Sequence, residues 1–183
     1  IATQDEDIKQ KVMNTISKCV ELIENTGELE RAFNRKIDSN GIKLSDIRTK
    51  IKELSKNYPE LKINTIGGCK IIVDESITTV FDNIVRNAKV HGKANNIDIS
   101  LKKEGKNCEI RISDDGVGIP DKYKDKIFNE GFSQGPNKGL GLGLYISKKI
   151  MEMQGGEIEV RDNNPNGSTF ILRFKSDDIH EIC

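Results

Sequence analysis

Asp82-Asn83-Ile84-Val85-Arg86-Asn87-Ala88-Lys89-Val90-His91 is the stretch on which the reading of this chain turns. It closes a helical pattern running from Asp74 to Val90, in which Ile77, Val80, Phe81, Ile84, Val85 and Ala88 make one apolar stripe at three- and four-residue steps. Asn83, Asn87 and His91 fall at i, i+4 and i+8, so their side chains lie along one side of that helix. A single asparagine on a helix usually faces solvent. The stretch therefore takes its meaning from the segments C-terminal to it.

Ile97, Ile99 and Leu101, then Cys108, Ile110 and Ile112, alternate with polar residues and read as antiparallel strands joined through Lys102 to Lys106, with Gly105 in the turn. The second strand runs into Asp114-Asp115-Gly116-Val117-Gly118-Ile119-Pro120. Farther on, Gly139-Leu140-Gly141-Leu142-Gly143-Leu144 opens a helix expected from Leu140 to about Met153 and ended by Gly155-Gly156. Strands at Ile158 to Val160 and Thr169 to Phe174 flank a turn at Asn163-Asn164-Pro165-Asn166-Gly167. Upstream, Leu61, Ile63 and Ile66 lie near a strand, and Lys70 to Val73 form a short β-branched one. Strand, helix, two strands, glycine loop, helix, two strands implies a two-layer α/β (α+β) sandwich, with helices on one face of a mixed, mainly antiparallel sheet.

Toward the N-terminus, Ile8, Val12, Ile16, Cys19, Val20, Ile23, Leu29 and Phe33 trace the seam of a long amphipathic helix over about Asp5 to Phe33, broken or bent near Gly27. Ile37 to Leu44 carries the turn cluster Asp38-Ser39-Asn40-Gly41 and reads as a linker. Ser45 or Asp46 can cap a second helix with Ile47, Ile51 and Leu54 on one face, stopped at Asn57 by the approach of Pro59.

Composition narrows the function. Lys+Arg and Asp+Glu are 29 each among 183 residues, so no global charge draws the chain to nucleic acid or an anionic membrane, and any anion binding is local. No apolar run approaches the roughly 20 residues that span a bilayer, and the N-terminus lacks a signal-peptide core. Four cysteines stand far apart with only two histidines, which argues against a zinc site or disulfide framework and suits a reducing cytoplasm. A first residue of Ile1 creates the expectation of a piece of a longer chain.

Taken together and in this order, the clusters resemble the nucleotide pocket shared by sensor histidine kinases, type II topoisomerases, mismatch-repair ATPases and heat-shock chaperone ATPases, known as the Bergerat fold. The resemblance covers roughly Lys70 to Phe174. It comprises an N-box (Asn83 to His91), a first glycine box (Asp114 to Gly118), an F-box (Ile127-Phe128-Asn129-Glu130-Gly131-Phe132-Ser133), a second glycine box (Gly139 to Gly143) and a closing Gly167-Ser168-Thr169-Phe170.

The resemblance implies ATP as ligand, with Mg²⁺ as companion. It gives Asp114 to the adenine amine, Gly116, Gly118 and Ile119 to the base, and Gly139, Leu140, Gly141, Leu142, Gly143 and Leu144 to the phosphates at a helix N-terminus. Asn87 supplies an amide oxygen for Mg²⁺, Asn83 and Asn87 are the catalytic pair, and His91, Phe132, Lys138 and Thr169 complete the set. ATP-hydrolysing relatives carry a water-activating glutamate where this chain has Asn83, so the resemblance points to phosphoryl transfer, as in two-component sensor histidine kinases.

On that resemblance, residues 1–36 are the end of a dimerisation and phosphotransfer hairpin, which forms a four-helix bundle in a homodimer. Residues 37–60 are a linker and first helix, 61–176 the catalytic domain, and 177–183 a tail. The implied partners are the chain's own upstream phosphotransfer domain and a response regulator receiver domain, with no nucleic acid and no membrane contact. The implied place is the cytoplasm, including the cytoplasmic part of a membrane-bound sensor. The alternatives are a serine kinase of the same fold and a nucleotide-binding signalling module without catalysis. Two departures stand out: Val90 occupies a position often filled by a phosphate-reaching basic residue, for which Lys89 or Arg86 are substitutes, and the lid between Phe132 and Gly139 is short.

Overall fold

The computed structural model describes residues 44–67, 72–104, 107–134 and 139–174, together with Val12, Met13, Thr15, Ile16, Ile23 and Gly27. Those six isolated positions are helical, Gly27 included. The rest of the expected N-terminal helix and most of the 37–44 linker lie outside the described residues, as do Lys138 and the tail with His180.

The chain enters through β1 (Leu44–Asp46) and α1 (Ile47–Asn57). Asp46 caps the helix as its composition suggests, its carboxylate accepting the Arg48 N–H at 2.9 Å, and Ile47, Ile51 and Leu54 are buried. β2 (Lys62–Gly67) and β3 (Ile72–Asp74) come next, then α2 (Ile77–Val90), β4 (Asn96–Glu104) and β5 (Asn107–Asp114). The apolar stripe of α2 is buried as its periodicity requires. The helix begins later than Asp74 because Glu75 and Ser76 form a turn, with Glu75 O accepting both the backbone N–H and the hydroxyl of Thr78.

A short helix, α3 (Asp121–Lys124), then precedes α4 (Gly143–Met153), β6 (Glu157–Asp162) and β7 (Ser168–Phe174). Two further expectations need correction. The α4 helix starts at Gly143, not Leu140, because Gly141 has a φ of +69° that a right-handed helix does not accommodate. The short strand near Val73 is β3, which pairs antiparallel with β1 and stays outside the main sheet.

The main sheet has the order β2-β4-β5-β7-β6. Only β2 and β4 run parallel, and every other pair is antiparallel. This is the mixed, mainly antiparallel arrangement that the element order implies. Alternation puts Ile97, Ile99, Leu101, Cys108, Ile110, Ile112, Phe170, Leu172 and Phe174 into one core with α1, α2 and α4. Off that core, Glu109, Arg111, Glu159 and Arg173 form a charged lattice, with Arg173 reaching Glu109 at 3.0 Å and Glu159 at 2.7 Å. Because the helices cover a single sheet face, α2 and the C-terminal end of β5 meet at one edge of the core. The cleft opens there.

Candidate functional site

The cleft has a volume of about 460 Å³. The C-terminal half of α2 supplies one wall with Arg86, Asn87, Val90 and His91, while Asp114 and Ser168 come from the adjoining strands. Gly118, Ile119, Pro120, Tyr123, Ile127 and Phe132 form the opposite side, and Gly139, Gly141, Gly143 and Leu144 close one end. The N-box, both glycine boxes and the F-box thus converge on one volume although they are far apart in sequence.

Adjacent carboxylates at the end of β5 have opposite tasks. Asp114 faces inward, is 5% exposed, and accepts the Gly116 N–H at 2.8 Å. Burial raises its pKa above the ordinary aspartate value, the N–H groups of Gly116 and Ser168 offset this only in part, and Asp115 beside it adds to the rise. Asp115 faces outward and accepts from the Asn96 side chain at 2.6 Å, from Asn96 N at 2.9 Å and from Asn95 N at 2.8 Å. Those bonds hold its pKa below the ordinary value. Asp115 therefore ties the α2–β4 connection to β5, which leaves Asp114 as the buried acceptor in the cleft.

The rest of that end is apolar. Tyr123 and Phe132 rings lie 5.7 Å apart, and Phe128 stacks edge-on to Phe170 at 6.4 Å. A flat, weakly polar ring system with one exocyclic amine suits such a slot beside a single buried carboxylate. Tyr123, Ile127, Phe170, Ser168 and Gly92 escaped the sequence reading as lining residues. Ile127 and the Ser168-Thr169-Phe170 run lay inside recognised boxes, so position in the boxes was the available signal. For Tyr123, on the unexpected α3, no sequence signal existed.

Several expected residues sit beside the cleft, not in it. Asn83 is 5% exposed and does not line the cavity. Its Nδ2 donates to Gly143 O at 2.9 Å and to Ser147 Oγ at 3.3 Å, so it joins α2 to the first turn of α4. Thr169 is also buried behind the wall, its hydroxyl 2.9 Å from that of Ser113, and its neighbour Ser168 takes the lining position. Gly116 is closed in by protein: a side chain there would meet Gly92 O at 2.5 Å and the Asp114 carboxylate at 2.8 Å. Leu140 and Leu142 are half-buried next to the loop, and Leu142 is the residue preceding α4.

The glycine-loop end is built for an anion. Leu142, the residue before α4, makes no side-chain cap, so among the described residues the first N–H groups of α4 keep the positive end of the helix dipole toward the cleft. Gly141 fixes the loop against the F-box, since a side chain there would strike Phe132 O at 2.4 Å. The cleft therefore offers an apolar slot with one buried carboxylate at one end and an uncapped helix terminus at the other.

Residues 72–178 match the family described as histidine kinase-, DNA gyrase B-, and HSP90-like ATPase. Over 130 residues the chain is 28% identical to the sensor-type histidine kinase PrrB of Mycobacterium leprae, spanning 68% of this chain and 29% of that protein. It is 31% identical over 115 residues to the sensor protein CiaH of Streptococcus pneumoniae, spanning 60% of this chain and 25% of that protein. Among solved structures, the histidine kinase AdeS of Acinetobacter baumannii superposes with a TM-score of 0.70 at 20% identity, over 94% of this chain and 85% of that one. The chain thus spans under a third of the length of these two sensor proteins.

Proposed function

Because this chain belongs to the histidine kinase-, DNA gyrase B- and HSP90-like ATPase family, we propose that its cleft holds Mg-ATP and transfers the γ-phosphoryl group to a histidine on a helical hairpin. That hairpin is the chain's own dimerisation and phosphotransfer domain, part of it within residues 1–36 and the acceptor upstream. The phosphoryl group then passes to an aspartate of a response regulator. Transfer breaks the bond between the γ-phosphorus and the β–γ bridging oxygen, forms a bond from phosphorus to an imidazole nitrogen, and releases ADP. The working protein is a homodimer on the cytoplasmic side. Among the described residues no helix is long and apolar enough to cross a membrane.

One observation carries the reading: the buried Asp114 and the uncapped start of α4 face the two ends of a single cleft. Asp114 accepts the adenine amine, the apolar rings hold the base, and the Gly139–Gly143 loop receives the phosphates. Asn83 is an amide committed to Gly143 and Ser147, so it has no proton-accepting carboxylate with which to activate water. That favours transfer to a second protein over hydrolysis.

The donor set fits magnesium. A cation bound together with ATP takes its charge balance from the phosphates. Mg²⁺ binds in that way, with one or two protein oxygens and several waters, and the Asn87 amide on the cleft wall supplies such an oxygen. When bound, the ion neutralises charge on the β- and γ-phosphates. Asn87→Ala is expected to weaken ATP binding about tenfold with Mg²⁺ present, on the order of one lost ligand bond. Without Mg²⁺ it should change little, so equal losses in the two calorimetric titrations count against a metal role.

The function is tested by incubating the chain with ATP labelled in the γ-phosphate, alone and with a separately supplied phosphotransfer hairpin. The expected result is acid-labile label on the hairpin and none on the chain alone, because of its two histidines His91 belongs to the cleft wall and His180 follows the last strand in the sequence, neither of them within residues 1–36. Acid-stable label on a serine would reassign the activity to a serine kinase. Nucleotide binding without any transfer would leave a signalling module.

A further inference from the structure

A triphosphate brings several negative charges into the cleft, whereas the glycine loop offers only the fractional charge of a helix terminus. Mg²⁺ balances only part of that charge, so a cationic side chain nearby adds to the binding of the phosphates. Among the described residues lining the cleft, Arg86 is the only lysine or arginine. Lys89, its neighbour on α2, is engaged elsewhere: it pairs with Glu60 and sits 5.9 Å from the centre of the Tyr58 ring. The position one residue on is Val90, which carries no charge.

Arg86 is held toward the phosphate end. Its Nη2 donates to Asn83 Oδ1 at 3.3 Å, and a side chain at Gly143 would approach that same nitrogen to 3.5 Å. The guanidinium therefore stands beside the first residue of α4, where the helix N–H groups are uncapped. Asp82, one turn back on α2, is half-buried under a hydrogen bond from the Tyr58 hydroxyl, and its charge acts on Arg86 from below. The single Asn83 side chain thus grips both the guanidinium and the carbonyl of Gly143.

We propose that Arg86 is a cation that meets the terminal phosphate of ATP in this protein, and that Asn83 is a positioning residue that sets Arg86 and the start of α4 at a fixed separation. The inference rests on the nucleotide reading of the cleft and adds to it the residue that distinguishes ATP from ADP. A planar guanidinium suits this task, because it can keep one N–H on Asn83 and present others to phosphate oxygens.

The test is equilibrium titration of the 183-residue chain with Mg-ATP and Mg-ADP. Arg86→Ala is expected to weaken ATP binding about ten- to a hundredfold while ADP binding changes by less than about threefold, the scale of one charge-assisted hydrogen bond. Arg86→Lys keeps the charge and should recover part of the lost ATP:ADP ratio. Asn83→Ala should lower that ratio when Arg86 is present and leave it unchanged in the Arg86→Ala background, since a residue acting through another shows no independent effect. Circular dichroism identifies any variant that fails to fold, and Arg86, being exposed, tests the idea even if Asn83→Ala does. An unchanged ratio in folded Arg86→Ala, or equal losses for both nucleotides, overturns the proposal. If the unaltered chain binds neither nucleotide, the reading of the cleft itself fails and this inference falls with it.

Discussion

Asp114→Asn is expected to remove nearly all affinity for ATP while leaving the domain folded. The Gly116 N–H, at 2.8 Å, needs an acceptor, so an amide at this position keeps its oxygen there and turns its NH2 into the cleft. That replaces an acceptor for the adenine amine with a second donor. Losing a buried hydrogen bond to a charged group costs roughly 1.5 to 3 kcal/mol, about ten- to a hundredfold in affinity, and the donor–donor clash adds to it.

The same carboxyl fixes a pH dependence. Its pKa in the folded chain is raised by burial above the unfolded value, so it contributes stability below the unfolded value that is lost as pH rises through the folded one. At neutral pH the buried carboxylate is a net cost, and Asp114→Asn should match or exceed the parent in melting temperature. ATP affinity moves the other way: it should fall with acid from a pH above the ordinary aspartate value of about 4, as Asp114 takes up its proton. Calorimetry across pH 4 to 8 checks both, and a folded variant with parental ATP affinity would sink the adenine assignment.

Gly167→Ala is the second large effect. Gly167 has a φ of +103°, and a side chain there would lie 1.9 Å from the carbonyl oxygen of Asp114. Both partners are backbone, so the clash is relieved only by moving the end of β5 that carries Asp114. A loss of about 3 kcal/mol or more is expected, roughly 10 °C in melting temperature for a domain of this size, with nucleotide affinity falling alongside. Gly131→Ala is the internal comparison. Its φ of +73° is equally left-handed, but nothing lies within 4 Å, so only the conformational cost of about 1 kcal/mol applies. Similar melting temperatures for the two variants would show that the contact with Asp114 does not matter.

Much of the fold was legible from pattern. The stripe on α2, the alternation in β4 and β5, and Asp46 before Ile47 each depend on residues a few positions apart, and each forms as expected. Leucines alternating with glycines look helical in apolar spacing, so the sequence predicts too early a start for α4, while the positive φ of Gly141 goes with its packing under Phe132. The pairing of β3 with β1 was hidden for a related reason: a three-residue strand carries no signal of which edge it joins. Tyr123 lay on an element too short to show a period.

By itself the sequence determined the longer helices and strands and their buried faces, though not β1 or α3, and the four boxes whose joint presence points to a nucleotide site, all of which are local properties of side-chain spacing. The tertiary structure alone decided which residue of each box meets the cleft. Asn83 turns to Gly143 and Ser147, sixty and sixty-four residues away, while Arg86 stays at the wall and Lys89 pairs with Glu60. Ser168 lines the cavity while Thr169 bonds Ser113, because successive residues of β7 point to opposite faces and the register with β5 fixes which one points inward. Those choices depend on how helices and strands distant in sequence pack together, and no spacing within one segment encodes them.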